Sequence, residues 1–410
     1  MDKKSIVVLG AGFGGLRAAI DIAKGLQHLK FAGKYEVVLV DRNDCHLFIP
    51  FLYRVAAGMD QHFETKCTYD IATLIKNLPI RFVKAEVASL DLMNGDVHLK
   101  TGEELQTNYL VIALGSETNF FDILGMAENA LQLKTLESAM EIREAITRAF
   151  AKGGEVKIVA GGAGPNGIEL AAEIRTWANH AEKENPDLHV SVSIVEALPE
   201  ILNGLDVRSK KIAARRLEKL GIPVMLNAKI TGVSENKIAI AEAASIPFDV
   251  FIWTGGVKTP ALLTQLPIVK DQRDRPLAKS DMACVPGTPD LKLAPMIYGI
   301  GDSVCFMNPK TGKPIPAIAH VAILEGRIAA RNLIEEIKHA EFPSHSPAIE
   351  SYMPTDYPYV IPIGEGWAVA KFGWFVFSGA LGWTFGRLIE LNYLSMIMPP
   401  FQAWKAWRRT

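Results

Sequence analysis

Two short apolar runs along the chain are each followed by a glycine-rich turn and then by apolar residues at helical spacing. The first run is Ser5–Leu9 and the second is Val156–Ala160. A short, continuous apolar run bounded by turn residues is typical of a strand buried in a parallel sheet. The same succession of strand, turn and helix therefore predicts two βα units in separate parts of the chain.

Both turns have the spacing G-x-G-x-x-G, which is the spacing of a dinucleotide-phosphate cradle. The two turns are Gly10-Ala11-Gly12-Phe13-Gly14-Gly15 and Gly162-Ala163-Gly164-Pro165-Asn166-Gly167. The first glycine allows the tight turn, the second lets the backbone approach a pyrophosphate, and the third lets helix and strand pack closely. The helix N-terminus then offers free N–H groups to the phosphates.

An acidic residue follows the next strand in both units. Tyr35–Val40 leads to Asp41, and Val190–Val195 leads to Glu196. A carboxylate at this place binds ribose hydroxyls and repels a 2′-phosphate, so Glu196 favours NADH over NADPH. One such motif alone is equally compatible with a dinucleotide cradle and with an ordinary glycine-rich turn. Two complete copies favour two dinucleotide sites and electron transfer between them.

Later strands extend this internal repeat. Tyr109–Ala113 runs into a glycine at Gly115, and Phe248–Trp253 runs into Gly255-Gly256. Strands and helices alternate over residues 5–115, as in a doubly wound α/β sheet. A helix is also predicted over Leu136–Phe150, with four side chains on its solvent side: Glu141, Arg143, Glu144 and Arg148.

Composition limits the classes of function that the chain can have. Its 410 residues suit two or three domains, and 49% apolar residues support large cores. The formal net charge of −1 gives no electrostatic argument for a nucleic-acid partner. The four cysteines are scattered without C-x-x-C spacing, which predicts no metal site, no disulfide framework and a reducing compartment.

The last part of the chain differs from the rest. A strand over Met296–Ile300 ends at Gly301-Asp302, a helix is predicted from about Ile318 to Ile337, and a proline-rich segment follows. Five of the seven tryptophans then fall between Trp367 and the C-terminus. The uncharged run Phe372–Gly386 is shorter than the roughly 20 residues that span a bilayer.

Short apolar runs with tryptophans and flanking bases are typical of segments that lie in a membrane interface. A dimerisation surface or a hydrophobic subdomain packed on the body is the alternative, because tryptophan is also enriched at protein interfaces.

Taken together, these motifs resemble those of the two-dinucleotide-binding-domain flavoproteins and, within them, the type II NADH dehydrogenases. His46–Gly58 is similar to the segment that lies beside the flavin in that subfamily, and Gly167-Ile168-Glu169 and Ser378–Trp383 also match. The resemblance implies an α/β fold with two Rossmann-like domains, the NADH domain being inserted in the FAD domain. It implies an FAD domain at 1–118 and 262–340, an NADH domain at 119–261, and an amphipathic membrane-associating region at 341–410.

The resemblance also implies which residues hold each cofactor. For FAD they are Gly10, Gly12, Phe13, Gly14, Gly15, Asp41, Arg42, Phe48, Pro50, Val87, Ala113, Gly115, Gly301, Asp302 and Ala319. For NADH they are Gly162, Gly164, Pro165, Asn166, Glu196, Gly255 and Gly256.

Cysteine placement separates the chain from disulfide-reducing relatives. Those enzymes need a closely spaced cysteine pair beside the flavin, whereas Cys45 is followed by Phe48 and Pro50 at the positions where a partner would stand. Residues 119–155 contain no cysteine either. Simple packing is the favoured role for Cys45 and Cys305, with a redox thiol as the alternative.

Two residues are candidates for catalysis. The resemblance places Glu169 where nicotinamide meets flavin, with a role in proton or quinone handling; an ordinary first-turn glutamate is the alternative. The related enzymes carry an Ala-Gln pair and a second Gln four positions later at the quinone pocket. This chain has Ala319-His320 and then Leu324, so the acceptor differs or is bound differently, and His320 is either a proton donor or a polar helix-start residue.

The predicted function is hydride transfer from NADH to FAD and electron transfer to a membrane quinone, without proton pumping. The enzyme is expected on the cytoplasmic side of the cell membrane as a peripheral protein and, by analogy, as a homodimer. The alternatives are a soluble NADH-dependent flavoprotein reductase for a protein or small-molecule acceptor, and a redox-sensing or scaffold flavoprotein.

Overall fold

The computed structural model describes residues 3–60, 62–242, 244–288 and 296–410. The elements before the second cradle are β1 Lys4–Leu9, α1 Phe13–His28, β2 Tyr35–Asp41, β3 Cys45–Leu47, α2 Leu52–Ala57, α3 Glu64–Cys67, β4 Thr68–Asp70, α4 Ile71–Ile75, β5 Ile80–Lys84, β6 Val87–Asp91, β7 Asp96–Leu99, β8 Glu104–Gln106, β9 Tyr109–Ile112, β10 Glu117–Thr118, α5 Met126–Asn129, β11 Leu131–Gln132, α6 Leu136–Lys152 and β12 Gly154–Gly161.

The second half continues with α7 Pro165–Glu184, β13 Leu188–Val195, α8 Val207–Lys219, β14 Val224–Met225, β15 Ile230–Ser234, β16 Lys237–Ile240, β17 Ile246–Pro247, β18 Val250–Trp253, β19 Val257–Lys258, α9 Ala261–Thr264, β20 Leu277–Ala278, β21 Met296–Gly299, β22 Cys305–Phe306, α10 Ala319–Glu341, β23 Tyr359–Pro362, β24 Ala368–Phe372, β25 Phe375–Gly379, α11 Ala380–Ile397 and α12 Pro400–Trp407. Two short 3₁₀ turns lie at Ile49–Phe51 and Gly301–Ser303.

The first sheet is parallel and has the strand order β21-β9-β1-β2-β5. It is apolar on both faces, which explains the continuous apolar run of β1. Ile6 and Val8 pack with helices α1 and α10, whereas Val7 and Leu9 pack with the antiparallel strands β6–β8. Strand β21 comes late in the chain, so the polypeptide leaves this sheet after β9 and returns to it after the second unit.

The second sheet repeats the first, with the strand order β11-β18-β12-β13-β14 and all pairs parallel. Its central unit is β12–α7–β13, the counterpart of β1–α1–β2. The predicted α/β fold with one dinucleotide unit inserted in another is confirmed. The domain limits 1–118, 119–261 and 262–340 stay a prediction.

Helix α6 corrects one detail of the sequence analysis. Glu141, Glu144 and Arg148 are exposed as predicted, but the prediction for Arg143 was wrong. Arg143 is half-buried and donates hydrogen bonds to the carbonyl oxygens of Val55 (3.0 Å) and Gly58 (2.9 Å). Its guanidinium therefore ties α6 to the end of α2, a long-range contact that helical spacing cannot reveal.

The C-terminal region folds as the antiparallel sheet β23–β24–β25 followed by α11 and α12. The uncharged run Phe372–Gly386 is therefore divided between a hairpin and the first turns of a helix. One side of α11 is buried against the body through Tyr393, Leu394 and Ile397. In the described part of the chain, no helix combines the length and the apolar character needed to cross a membrane.

The opposite side of this region is exposed and apolar, including Trp374 (83% exposed), Leu381 (74%) and Phe401 (74%). The basic residues that border the region also fall into a buried group and an exposed group. Arg387 is turned inward and pairs with Glu390, whereas Lys405, Arg408 and Arg409 are exposed. The region is thus packed on the body on one side and apolar towards solvent on the other.

Candidate functional site

The first cradle joins β1 to the N-terminus of α1. The Gly10 N–H donates to the Val40 carbonyl oxygen (2.7 Å), and the Leu16 N–H donates to the Gly12 carbonyl oxygen (3.0 Å). The Asp41 carboxylate accepts the Ala11 N–H at 2.6 Å. Burial raises the pKa of Asp41, which the hydrogen bonds from backbone N–H groups oppose. The predicted acidic residue thus holds the cradle backbone directly.

The second cradle has the same hydrogen bonds at corresponding positions. The Gly162 N–H donates to the Val195 carbonyl oxygen (2.8 Å), and the Ile168 N–H donates to the Gly164 carbonyl oxygen (3.1 Å). The Glu196 carboxylate accepts the Ala163 N–H at 2.6 Å. The two cradles differ at Phe13-Gly14 and Pro165-Asn166, yet they build the same turn, including its contact with the acid of the neighbouring strand.

The glycines of each cradle fall into two groups. A Cβ on Gly15 would overlap the Gly10 carbonyl oxygen, and a Cβ on Gly167 would overlap that of Gly162, so packing inside the protein requires glycine there. At Gly12 and Gly164, a Cβ would meet no atom of the described residues within 4 Å. The open space lies at the helix N-termini, where a pyrophosphate fits and a side chain would obstruct it.

The other predicted FAD residues gather around the first cradle. Gly10 faces the Ala113 carbonyl, and the Gly115 N–H donates to the Ser303 hydroxyl at 2.7 Å. The Ser116 hydroxyl donates to Asp302 at 2.9 Å. The strand ends of β9 and β21 therefore lie together beside the cradle, which places Asp302 at its edge.

The remaining FAD candidates occupy less uniform positions. Phe48 is buried against Phe13, with ring centroids 5.7 Å apart. Val87 and Ala319 are partly exposed, at the starts of β6 and α10. Arg42 and Pro50 are exposed.

The second cradle brings together its own predicted residues. A Cβ on Gly162 would lie 2.9 Å from the Gly255 Cα, and Gly256 follows in the same loop. The Thr254 hydroxyl donates to the Gly161 carbonyl oxygen at 2.9 Å. Pro165 and Asn166 are exposed at the start of α7.

His46 was quoted only as part of a motif, yet it connects the first cradle to the C-terminal region. Its Nδ1 lies 2.8 Å from the Ala11 carbonyl oxygen, so Nδ1–H is the donor. Its Nε2 then accepts the Tyr393 hydroxyl at 2.6 Å. Burial lowers the pKa of His46 to about 4, which keeps the ring neutral in this arrangement. Sequence reasoning missed Tyr393 altogether.

Glu325 and Lys134 were also missed. Glu325 is buried on α10 and accepts the Gly301 N–H at 2.6 Å, and burial raises its pKa to about 8. Lys134 donates to the Ser116 hydroxyl at 2.9 Å, and burial lowers its pKa. The helical spacing of α10 marked Glu325 as core-facing, which was the only signal available for it.

Glu169 lies on the first turns of α7 and is buried, so the pKa of its carboxyl is raised well above its ordinary value. Glu173, one turn later on the same helix, has its pKa raised by burial to about 7, opposed by the nearby Arg54. The spacing of these two acids by four residues was visible in the sequence, and it places both on one face of the helix.

His320 has a different setting from Glu169. It is exposed at the start of α10, and its ring stands edge-on to Tyr357 with centroids 6.2 Å apart. Partial burial lowers the pKa of the imidazole. No hydrogen bond or ion pair within the described ranges joins His320 to Glu169. The two predicted catalytic residues thus belong to separate helix starts.

The cysteines carry ordinary thiols. Burial raises the pKa of Cys67 and of Cys284 to about 12, and that of Cys305 to about 11; the pKa of Cys45 is also raised by burial. All four are free in the described structure. A raised thiol pKa disfavours the reactive thiolate.

The profile of the pyridine nucleotide-disulphide oxidoreductase family matches residues 4–326 of the chain. That range contains both cradles, Glu169 and the return strand β21. The chain belongs to this family.

Similar curated proteins include two type II NADH:quinone oxidoreductases. The enzyme from Mycobacterium tuberculosis is 27% identical over 414 residues, covering 95% of this chain and 84% of that protein. The enzyme from Staphylococcus saprophyticus is 26% identical over 347 residues, covering 81% of this chain and 82% of that protein.

Solved structures show the same fold. NDH2 from Plasmodium falciparum, in complex with NADH, has a TM-score of 0.82 at 17% identity and covers 100% of this chain and 98% of that one. The sulfide:quinone oxidoreductase from Aquifex aeolicus has a TM-score of 0.77 at 18% identity, covering 96% of this chain and 91% of that one. This family member therefore keeps the fold of both, while its cysteines carry no C-x-x-C pair.

Proposed function

We propose that this chain is an FAD-dependent NADH:quinone oxidoreductase of type II. The observation that carries the proposal is the pair of cradles with matching hydrogen bonds, each with open space at a helix N-terminus. The named activities of the curated relatives from Mycobacterium tuberculosis and Staphylococcus saprophyticus agree with it. FAD, when bound, supplies the chemistry that takes hydride from NADH and passes two electrons to the quinone.

The first cradle is assigned to FAD and the second to NADH. Ala113, Gly115 and Asp302 complete the FAD site from neighbouring strand ends, and Gly255 and Glu196 complete the NADH site. The carboxylate of Glu196 would repel a 2′-phosphate, which supports NADH as the nucleotide.

Glu169 is the residue to which we assign proton handling during quinone reduction. Its carboxyl is buried, and burial raises its pKa well above the ordinary value, which favours the protonated form. His320 is exposed at the start of α10 and is proposed to contact the quinone, in place of the glutamine that the related enzymes carry. Leu324 stands where the related enzymes carry the second glutamine, and its side chain cannot hydrogen-bond a quinone. We therefore propose that this enzyme differs from its relatives in the quinone that it prefers.

The exposed apolar side of the C-terminal region is proposed to dock on the cytoplasmic face of the cell membrane. Trp374, Leu381 and Phe401 would enter the interface, and Lys405, Arg408 and Arg409 would meet anionic lipid headgroups. Deleting the region would remove Tyr393 and uncover Phe13 and His46, against which it packs, so substitution is the better test. A homodimer formed through this region stays a prediction.

Rapid mixing tests the activity. Under anaerobic conditions, NADH should bleach the flavin absorbance of the purified protein, and a quinone added next should restore it. If only a soluble acceptor restores the absorbance and no quinone does, the chain is the soluble flavoprotein reductase instead.

Sedimentation with liposomes tests the membrane surface. Replacing Trp374, Leu381 and Phe401 together by serine should release the protein from anionic vesicles while flavin reduction by NADH stays unchanged. The matched control is Leu124→Ser, because Leu124 is 82% exposed but lies outside the C-terminal region. Equal sedimentation of both variants would contradict the docking proposal.

A further inference from the structure

The second cradle is held on one side by the loop of residues 196–206, which joins β13 to α8. The Glu196 carboxylate accepts the Ala163 N–H through one oxygen and the Leu198 N–H, at 2.9 Å, through the other. The Ala163 carbonyl oxygen accepts the Leu202 N–H, also at 2.9 Å. Both backbone polar groups of this cradle residue are therefore fixed by the 196–206 loop and the acid that begins it.

The 196–206 loop makes a strained turn beside the cradle. The backbone φ of Leu202 is +49°, in the left-handed region that residues other than glycine rarely adopt. The Leu202 side chain is 1% exposed, so relaxing the turn would move a residue of the core. A strained backbone persists where neighbouring contacts hold it in place. The contacts at the two ends of the loop therefore matter for the shape of the cradle.

The far end of the loop is held by the C-terminal region. Asp206 caps the N-terminus of α8, where its carboxylate accepts the Ser209 N–H at 2.9 Å. Tyr359 on β23 donates its O–H to the same carboxylate, and its oxygen lies 2.8 Å from the Ser209 hydroxyl oxygen. Burial raises the pKa of Asp206, but the hydrogen bonds from Tyr359 and Ser209 outweigh burial and lower it to about 2. The Tyr359 hydroxyl thus donates to an ionised carboxylate, which makes a strong hydrogen bond.

The first cradle has a parallel connection to the C-terminal region. The Ala11 carbonyl oxygen accepts the His46 Nδ1–H, and Tyr393 donates to the other ring nitrogen. In the second cradle the corresponding carbonyl is that of Ala163, and the connection runs through the 196–206 loop to Tyr359. A tyrosine hydroxyl of the C-terminal region therefore ends a series of contacts that begins at each cradle.

Resting on the proposed function, which assigns the second cradle to NADH, we propose that Tyr359 is a positioning residue for NADH. Its hydroxyl holds Asp206 and thereby keeps the 196–206 loop in the conformation that fixes Ala163 and Glu196. NADH then meets a cradle that already has the shape its pyrophosphate and ribose require. Without the hydroxyl, binding has to order the loop, and the affinity for the nucleotide falls.

Tyr359→Phe tests the proposal because it removes only the hydroxyl. The KM for NADH should rise about fivefold, as expected for the loss of one hydrogen bond, while kcat, FAD content and flavin reoxidation by quinone stay unchanged. ADP-ribose has the pyrophosphate and the adenosine ribose of NADH but no nicotinamide. Its dissociation constant, measured by calorimetry, should rise by the same factor, because the loop fixes the part of the site that binds those groups.

Hydrogen exchange measured by mass spectrometry reports on the loop without turnover. In Tyr359→Phe, peptides that cover residues 196–206 should exchange their amide hydrogens faster than in the wild-type protein. Peptides from β12 and α7 should keep their wild-type exchange. Saturating ADP-ribose should slow the exchange of the loop again, because the bound nucleotide orders it.

Arg216→Gln is the matched control. Arg216 lies in the last turn of α8 and ties the same C-terminal sheet to that end of the helix. Its guanidinium donates to the Ile363 carbonyl oxygen at 3.1 Å and pairs with Glu365 at 3.1 Å. This variant loosens the contact between the sheet and α8 away from the loop, so the KM for NADH and the exchange of the loop should stay close to wild type.

The outcomes distinguish this proposal from the function beneath it. An unchanged KM or unchanged loop exchange in Tyr359→Phe would overturn the positioning role. An equal rise of KM in Arg216→Gln, or faster exchange throughout the chain, would show a general loss of packing and would overturn it too. Wild-type protein whose flavin is not reduced by NADH would overturn the proposed function together with this inference. Reduction by NADH without reoxidation by any quinone would overturn only the quinone half of the proposed function.

Discussion

The two cradles share their backbone hydrogen bonds but differ in what covers them. In the first, Phe13 and Gly14 are buried: Tyr393 packs on the Phe13 ring at 4.8 Å, and a Cβ on Gly14 would lie 2.9 Å from the Ala322 carbonyl oxygen. In the second, the corresponding Pro165 and Asn166 are exposed. One motif is thus enclosed by α10 and the C-terminal region, and the other stands open.

This difference matches the two roles that the proposed function requires. A cofactor that stays bound through many turnovers is held better by an enclosed site, because release then requires neighbouring elements to move. A nucleotide that is exchanged in every turnover needs an open site. The glycine motif supplies phosphate binding in both cases, and its surroundings set how long the ligand stays.

The largest expected effect comes from the glycine that packs inside the first cradle. Gly15→Ala places a Cβ on the Gly10 carbonyl oxygen and should lower the free energy of unfolding by about 2–3 kcal/mol, with loss of FAD. Urea denaturation monitored by circular dichroism measures the first effect, and flavin absorbance measures the second. An unchanged unfolding midpoint would contradict the packing described for Gly15.

Substituting the second glycine of each cradle should separate the two ligands without unfolding the protein. The backbone φ is −68° at Gly12 and −73° at Gly164, so alanine is allowed at both and meets no described atom within 4 Å. Gly12→Ala should purify without FAD, whereas Gly164→Ala should keep FAD but raise the KM for NADH at least about tenfold, because the Cβ obstructs the pyrophosphate.

Unfolding midpoints close to wild type are the control for this pair. If Gly12→Ala keeps its FAD, or if Gly164→Ala keeps its KM, the ligand assigned to that cradle is wrong.

The part of the C-terminal region that covers the first cradle should influence the affinity for FAD and not the KM for NADH. Tyr393→Phe leaves the His46 Nε2 without its donor and should weaken FAD binding by about 1–3 kcal/mol while leaving the KM for NADH unchanged. The FAD dissociation constant, from flavin fluorescence, measures this. Tyr35→Phe is the control: its hydroxyl bonds Glu341 at 3.0 Å, and Tyr35 begins β2 at the end of the sheet away from the cradle. Equal weakening in both variants would show a general loss of stability.

The smallest expected effect concerns nucleotide choice at the open cradle. Glu196→Gln keeps an acceptor for the Ala163 N–H but removes the charge that repels a 2′-phosphate. The preference for NADH over NADPH, measured as the ratio of kcat/KM values, should fall about three- to tenfold. The FAD content should not change, because Asp41 holds the corresponding place in the first cradle. An unaltered ratio would remove Glu196 from nucleotide selection.

Much of the fold could be predicted from the sequence because the features that determine it are local. Glycine spacing, a preceding apolar run and a terminal acid act over a few residues, and Asp41 and Glu196 do contact the cradles that they were matched with. The repeat of this pattern was enough to predict two parallel sheets. The C-terminal region was harder, because its apolar residues serve packing on one side and exposure on the other, and composition alone does not distinguish them.

The sequence by itself determined three features: the two cradles, the acid that follows each of them, and the absence of a closely spaced cysteine pair. Each depends only on the spacing of residues that are near one another in the chain. Only the tertiary structure decided that Tyr393 closes on His46 from 347 residues away and that Arg143 turns inward. Such contacts depend on which helices pack together, and that packing follows from burial summed over the whole molecule rather than from any local pattern.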